Sequence, residues 1–274
     1  MTVAQAIRAA AAKLETTSDT ARLDAELLMA HALGASRSDM LLRHMTDLAP
    51  VTYSDLITRR EAREPVAHIT GIQEFYGREF AVTHDTLIPR GDSETLIDAV
   101  LELAPDAQRV LDLGTGTGAL LVTALLELEG ASGLATDQSP EALKVAEKNA
   151  RALGLDESCA RFELRDWTGE GWADGLGRFD LILCNPPYVE DAASLDADVR
   201  EYEPASALFS GPEGLDDYRI LIPQLRGLMR AGAIAILEIG ATQGHAVTKI
   251  AQDQGFSVTM RKDLAGRPRA LILR

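Results

Sequence analysis

The chain has 274 residues, 46% of them apolar and 25% charged, and carries a formal net charge of −15 from 27 basic and 42 acidic side chains. That length suits one large or two modest domains with a sizeable core, and the balance is that of a soluble globular protein. No apolar run reaches membrane-spanning length, and Met1-Thr2-Val3-Ala4-Gln5 lacks the basic-then-apolar layout of a signal peptide, so a cytosolic protein is expected. The two cysteines, Cys159 and Cys184, form no CxxC, and the five histidines have no ligand spacing, which argues against a disulfide framework and a zinc site. Two of the net negative charges belong to residues 1–75 and thirteen to 76–274. An acidic body is a poor grip for phosphate backbones, so a protein or small-molecule substrate is favoured over tight nucleic-acid binding.

In chain order, residues 1–73 read as a small helical bundle. Val3 to Leu14 is Ala-rich, and Thr20 to Leu33 places Leu23, Leu27 and Leu28 at helical spacing on one face. Ser38 to Arg43 is short. Thr52 to Arg63 opens with Thr52-x-x-Asp55, a relative of the capping box, and Pro65 ends it. Nothing in the bundle suggests catalysis; its separateness suggests partner recognition. Residues 74–90 form a linker in which Glu74 to Phe80 reads as a hairpin with Gly77 in the turn. Asp92 or Ser93 is a candidate cap for a helix starting near Glu94. Arg90, between Pro89 and Gly91, reads as a solvent-exposed charge rather than a carboxylate binder.

From about residue 106 strand and helix alternate. Strands are predicted at 109–113, 132–136, 160–165, 179–184, 233–239, 256–261 and 269–273, and helices at 118–129, 140–153 and 215–230. The alternation implies a doubly wound, mostly parallel Rossmann-like α/β sheet over 91–274. The first strand runs into Asp112-Leu113-Gly114-Thr115-Gly116-Thr117-Gly118. Three glycines between a strand and a helix let backbone approach a ligand closely. The spacing is G-x-G-x-G rather than the dinucleotide G-x-G-x-x-G, which weakens a nicotinamide or flavin reading. Asp137 ends the second strand, where an acidic side chain would bond ribose hydroxyls. The alternative is a tight turn with an unrelated surface Asp. Asp166-Trp167 ends the third strand, where Trp167 could stack on an adenine and Asp166 accept its exocyclic amine; otherwise Trp167 is a core or rim aromatic.

The fourth strand, Phe179 to Cys184, runs into Asn185-Pro186-Pro187-Tyr188. Open α/β sheets bind ligands at such carboxyl ends. Proline holds Asn185 extended, and the Pro186 carbonyl has no helix to bond with. The Asn oxygen and that carbonyl are two fixed acceptors, which suit the two donors of a planar NH2 group; Tyr188 could cover its face. The bland reading is a strand followed by a Pro-rich turn.

Together, Asp112 to Gly118, Asp137, Asp166-Trp167 and Asn185 to Tyr188 resemble the successive motifs of methyltransferases that use S-adenosylmethionine and act on a planar nitrogen. The chain most resembles the release-factor glutamine N5-methyltransferases. The resemblance covers nearly the whole length. It takes in the helical N-terminal region, Glu64 to Gly71, Leu87 to Glu94, Val199 to Pro204 and Asp263 to Arg267. One departure is Gly91, where the family usually has a second Pro after the Arg; it is expected to loosen that loop.

The resemblance implies S-adenosyl-L-methionine as cofactor and S-adenosyl-L-homocysteine as product. It implies that the substrate is the glutamine of the Gly-Gly-Gln motif of class 1 peptide chain release factors. Catalysis would then fall to Asn185, Pro186 and Tyr188, substrate binding to the same three with Pro187, and cofactor binding to Gly114, Thr115, Gly116, Thr117, Gly118, Asp137, Asp166, Trp167 and Asn185, with no metal. The bundle would recognise the substrate, and a cytoplasmic monomer is expected. Three other readings stay open: an amino-methyltransferase acting on adenine or guanine in nucleic acid, a nicotinamide oxidoreductase, and a cofactor-sensing protein without catalysis. The first would want a basic channel or a target domain, the second a G-x-G-x-x-G and a proton relay, and the third need not keep Asn185 to Tyr188.

Overall fold

The computed structural model describes residues 1–274, which divide into two compact units, Met1–Ile72 with Leu195–Tyr202, and Gln73–Ser194 with Glu203–Arg274. No helix is long and apolar enough to cross a membrane.

The first unit is helical. α1 (Val3–Leu14) starts at a capping box: Gln5 N–H donates to Thr2 Oγ1 at 3.3 Å, and Thr2 N–H donates to Gln5 Oε1 at 3.0 Å. α2 (Ala21–Leu33) ends at Gly34, whose φ of 64° a side chain would resist. α3 (Arg37–Asp39) runs into a π-helical turn, Met40–His44. α4 (Tyr53–Glu61) and α5 (Val66–Thr70) follow, and α9 (Ala197–Tyr202) belongs to the same unit. Two expectations fail here. The buried face of α2 is Ala21, Ala25, Leu28 and Met29, whereas Leu23 is 41% exposed and Leu27 only half-buried. Small alanines allow close approach to α1, and Asp24, on the same face, is buried because Arg60 compensates it. The Thr52 side chain caps nothing: its backbone is already helical, so it cannot reach back over the first turn.

In the second unit, β1 (Ile72–Phe75) and β2 (Arg78–Ala81) form the expected hairpin. Tyr76 and Gly77 both have positive φ, 51° and 71°, as a two-residue turn with hairpin twist requires. Tyr76 tolerates this because its N–H donates to Glu94 Oε1 at 2.8 Å. Phe75 and Phe80 meet edge to face, with centroids 6.2 Å apart.

A 3-10 turn, Gly91–Ser93, leads into α6 (Glu94–Leu103). Neither Asp92 nor Ser93 caps it. The Ser93 hydroxyl donates instead to Glu238 Oε2 at 2.5 Å, and Asp92 accepts from Arg267 and Arg269, both at 2.8 Å.

β3 (Arg109–Leu113), α7 (Ala119–Glu127), β4 (Ser132–Asp137), α8 (Pro140–Ala152), β5 (Ala160–Leu164) and β6 (Phe179–Cys184) follow. α10 (Asp216–Leu228), β7 (Met229–Glu238), α11 (Gly244–Asp253), β8 (Val258–Lys262) and β9 (Pro268–Leu273) complete the unit. The seven strands order as β5-β4-β3-β6-β7-β9-β8, with β3 to β7 mutually parallel and β9 antiparallel to both β7 and β8. The Rossmann-like, mostly parallel sheet inferred from the alternation is therefore present.

Its inner strands β3, β6 and β9 are buried on both faces along most of their length, which is why they read as nearly continuous apolar runs. Val110, Leu181, Leu183, Ile234 and Ile236 pack with α6 and α7. Leu111, Leu113, Ile182 and Cys184 pack on the other face with α10 and α11.

Candidate active site

The strand order reverses between β3 and β6, and Leu113 of β3 is the register partner of Cys184 of β6. Gly114 and Asn185 therefore leave the sheet side by side at a topological switch point, where such sheets open a crevice. A cleft lies there, lined by Gly114 to Thr117, Asp137, Asp166, Trp167, Asn185 and Pro187 among others.

The glycine loop is held tightly. Gly114 and Thr115 N–H both donate to the Thr136 carbonyl, at 2.9 and 3.0 Å, and Gly118 N–H donates to the Thr115 carbonyl at 2.8 Å. Gly114, Gly116 and Gly118 have φ of 72°, 53° and 83°. A Cβ at Gly114 would sit 3.0 Å from the Trp167 ring, and one at Gly118 would sit 3.1 Å from Ala146 Cβ. Gly118 thus serves close packing on α8 and does not line the cleft. Gly116 faces open space.

Asp137 accepts from Gly116 N–H and Ser139 N–H, both at 2.9 Å. Burial pushes its carboxyl above the usual range, against the pull of those two N–H groups. Asp112, fully buried beneath the loop, accepts from the Thr115 hydroxyl at 2.6 Å. Desolvation raises its carboxyl to about 7.

Trp167 presents its ring to Gly114 and donates its indole N–H to Asp217 Oδ1 at 2.8 Å. Asp166 accepts from the Thr168 N–H and hydroxyl through one oxygen.

The Asn185 side chain, half-buried on the cleft wall, makes no hydrogen bond to the protein, and the Pro186 carbonyl accepts none. Pro186 and Tyr188 are not on this wall. Tyr188 lines a neighbouring cavity with Arg90, Glu238 and Arg269, and its hydroxyl donates to Glu238 Oε1 at 3.3 Å.

Arg90 corrects the sequence reading. It is a carboxylate binder: its guanidinium donates to Glu203 Oε1 at 2.5 Å, and Glu203 Oε2 accepts from Ile88 N–H at 3.0 Å. The Glu203 side chain is 1% exposed, so the pair is a strut under the Leu87–Arg90 loop.

Several contributors carry no local motif of their own, although Glu203 falls within the Val199 to Pro204 stretch. Asn149 of α8 accepts from Ala81 N–H at 2.8 Å and donates to the Ala81 and Thr117 carbonyls at 3.0 and 2.9 Å, tying hairpin to glycine loop. Glu203, Asp217 and Glu238 act on residues 50 to 145 positions away. Only a nucleoside fingerprint spanning such distances would have flagged them, and none does.

The lining suits a cationic nucleoside cofactor. Its charged members are Asp85, Asp137, Asp166 and Arg90, and the arginine is already engaged by Glu203. Left-handed glycines bring backbone amides to the wall, and the sole large aromatic from β5's end is Trp167.

Family models match at residues 5–71, described as PrmC N-terminal domain, and at 91–202, described as Methyltransferase small domain. The chain is 43% identical to a protein of Cereibacter sphaeroides named Release factor glutamine methyltransferase, across 100% of this chain and 99% of that one. It is 41% identical to a protein of the same name from Moorella thermoacetica, across 99% and 98%. Among solved structures, a methyltransferase from Pyrococcus furiosus superposes with a TM-score of 0.54 at 16% identity, covering 80% of this chain and 98% of that one. An O-methyltransferase family protein from Burkholderia thailandensis gives 0.51 at 18% identity, covering 94% and 74%. At those identities the solved structures speak for the fold alone.

Proposed function

Because the chain belongs to the release factor glutamine methyltransferase family, we propose that it methylates the side-chain amide nitrogen (N5) of the glutamine in the Gly-Gly-Gln motif of class 1 peptide chain release factors, in the cytoplasm and as a monomer. The observation that carries this reading is the unpaired Asn185 amide on the cleft wall, one residue beyond the switch point and on the wall it shares with the glycine loop, followed directly by the unengaged Pro186 carbonyl.

S-adenosylmethionine supplies an electrophilic methyl group bound to a sulfonium. Gly114 to Thr117 would hold the methionine and ribose portion, Asp137 would accept from ribose hydroxyls, and Trp167 with Asp166 would receive the adenine. Gly118 contributes by keeping the loop close to α8. Asp137 is suited to its part because two backbone N–H groups fix its carboxylate at the cleft.

A carboxamide nitrogen is a poor nucleophile, since its lone pair is delocalised into the carbonyl. Asn185 Oδ1 and the Pro186 carbonyl accept its two hydrogens, aim it at the methyl group and stabilise positive charge as it develops. An N-alkylated protonated amide is strongly acidic and sheds its proton without a dedicated base. Pro187 keeps the segment stiff, and Tyr188, whose side chain lies in the neighbouring cavity with Glu238, braces it from that side. The helical unit Met1–Ile72 recognises the release factor.

The test is peptide mass spectrometry of a purified release factor after incubation with this protein and S-adenosylmethionine, with RNA and DNA run in parallel. One added methyl on the Gly-Gly-Gln glutamine is expected. Methylated nucleic acid with unmodified release factor would overturn the reading.

A further inference from the structure

Tyr188 is clamped from several directions. Its N–H donates to the Leu208 carbonyl at 3.1 Å, and its carbonyl accepts from Gln243 Nε2 at 2.9 Å. An added Cβ at Gly240 would lie 3.4 Å from Tyr188 Cδ2, so the ring packs on bare backbone. The remaining freedom is the swing of the side chain about Cα–Cβ, and the bond made by the hydroxyl at its tip limits it.

That hydroxyl meets a carboxylate at the carboxyl end of β7. Glu238 is 1% exposed, and it is held in place from the far side: Ser93 Oγ donates to Oε2 at 2.5 Å, and Arg269 Nη1 stands 3.8 Å from Oε1. Arg269 is itself buried and shares Asp92 and Asp263. The carboxylate itself does not line the cofactor cleft and meets it through Ser93, which does. A buried carboxylate with so few partners is costly to keep as packing alone.

We propose that Glu238 is a positioning residue for methyl transfer, fixing the Tyr188 ring through its hydroxyl and through it the Asn185-Pro186-Pro187 segment that holds the target amide. The inference rests on the methyltransferase reading above. At 3.3 Å the hydroxyl bond is long for an O–H donor, as such bonds often are before substrate arrives and tightens them. Ser93 connects the same carboxylate to the turn that opens α6, so the Arg90 loop and the Asn185 segment are aligned on one anchor.

The experiment compares Glu238→Gln, Tyr188→Phe and the double variant by steady-state methyl transfer to a release factor, cofactor affinity by calorimetry, and thermal unfolding. Glu238→Gln is expected to lower kcat about tenfold while KM for the release factor and cofactor affinity stay within about twofold. The double variant should be no slower than the slower single variant, because both act on one contact, Tyr188→Phe by removing its donor and Glu238→Gln by exchanging its charged acceptor for a weaker neutral one. If Glu238→Gln does not fold, Ser93→Ala, which frees one carboxylate oxygen, should lower kcat in the same way. An active wild type with an unchanged kcat in the folded variant overturns the inference alone, as do effects of the two substitutions that multiply. A wild type that transfers no methyl group overturns the functional reading and this inference with it.

Discussion

The helical unit and the switch point of the sheet unit bury charge in opposite ways. In the helical unit every deeply buried charge in question meets a counter-charge. Arg60, 7% exposed, donates to Asp24 Oδ2 and Asp198 Oδ2, both at 2.7 Å. Burial would raise the Glu26 carboxyl, but Arg22 and Arg37 hold it below its usual range. In the sheet unit, the acids beside the switch point lean on hydroxyls and backbone amides instead. Asp112 has Thr115, Asp137 has two N–H groups, and burial raises both carboxyls. Compensated charge is architecture. Acids under-supplied with cations at the end of a sheet leave negative potential for a cationic ligand to meet.

The comparison breaks most easily in the helical unit. Arg60→Ala leaves Asp24 buried without its cation, so unfolding free energy should fall by about 3–5 kcal/mol in urea titration. A loss under about 1 kcal/mol would mean that Ser18 and Thr20, which also bond Asp24, suffice.

In the sheet unit the sign is reversed. The folded Asp112 carboxyl, near 7, lies above its ordinary 3.8, so its contribution to stability is full below 3.8 and is lost as pH rises through about 7. Asp112→Asn removes this dependence. Between pH 4 and 8 its stability should gain on the wild type by on the order of 2–4 kcal/mol. Parallel pH profiles would contradict the reading of Asp112 as an uncompensated acid.

The smallest effect sharpens the role of the Arg90 strut. Gly91 opens a 3-10 turn, follows an extended Arg90 and has open space about its Cβ position. Gly91→Pro should therefore raise the unfolding free energy by about 0.4–1 kcal/mol, read as a small rise in Tm. A fall would mean that the loop uses Gly91's freedom.

Much of the sheet was legible because doubly buried strands leave unbroken apolar runs between turn residues. Arg109–Leu113 and Phe179–Cys184 fall where the pattern predicts them. Short α-helical faces were less legible. Alanines carry the contact in α2, and a hydrophobicity pattern weights Leu23 above Ala25. The site was half legible. Asn185, Asp137 and the glycines declare themselves because each sits at a strand end with a local motif. Arg90 does not, since its meaning depends on Glu203, 113 residues away. Tyr188 reads as part of one linear motif, yet its side chain opens on the neighbouring cavity through Glu238. Side-chain direction after two prolines is a tertiary fact.

The most direct test of the central claim is Asn185→Ala, assayed by methyl transfer to release factor alongside calorimetry with S-adenosylmethionine. The account predicts a loss of transfer of about a hundredfold or more, with cofactor affinity falling far less and Tm nearly unchanged. Full methyl transfer by the folded variant would contradict it.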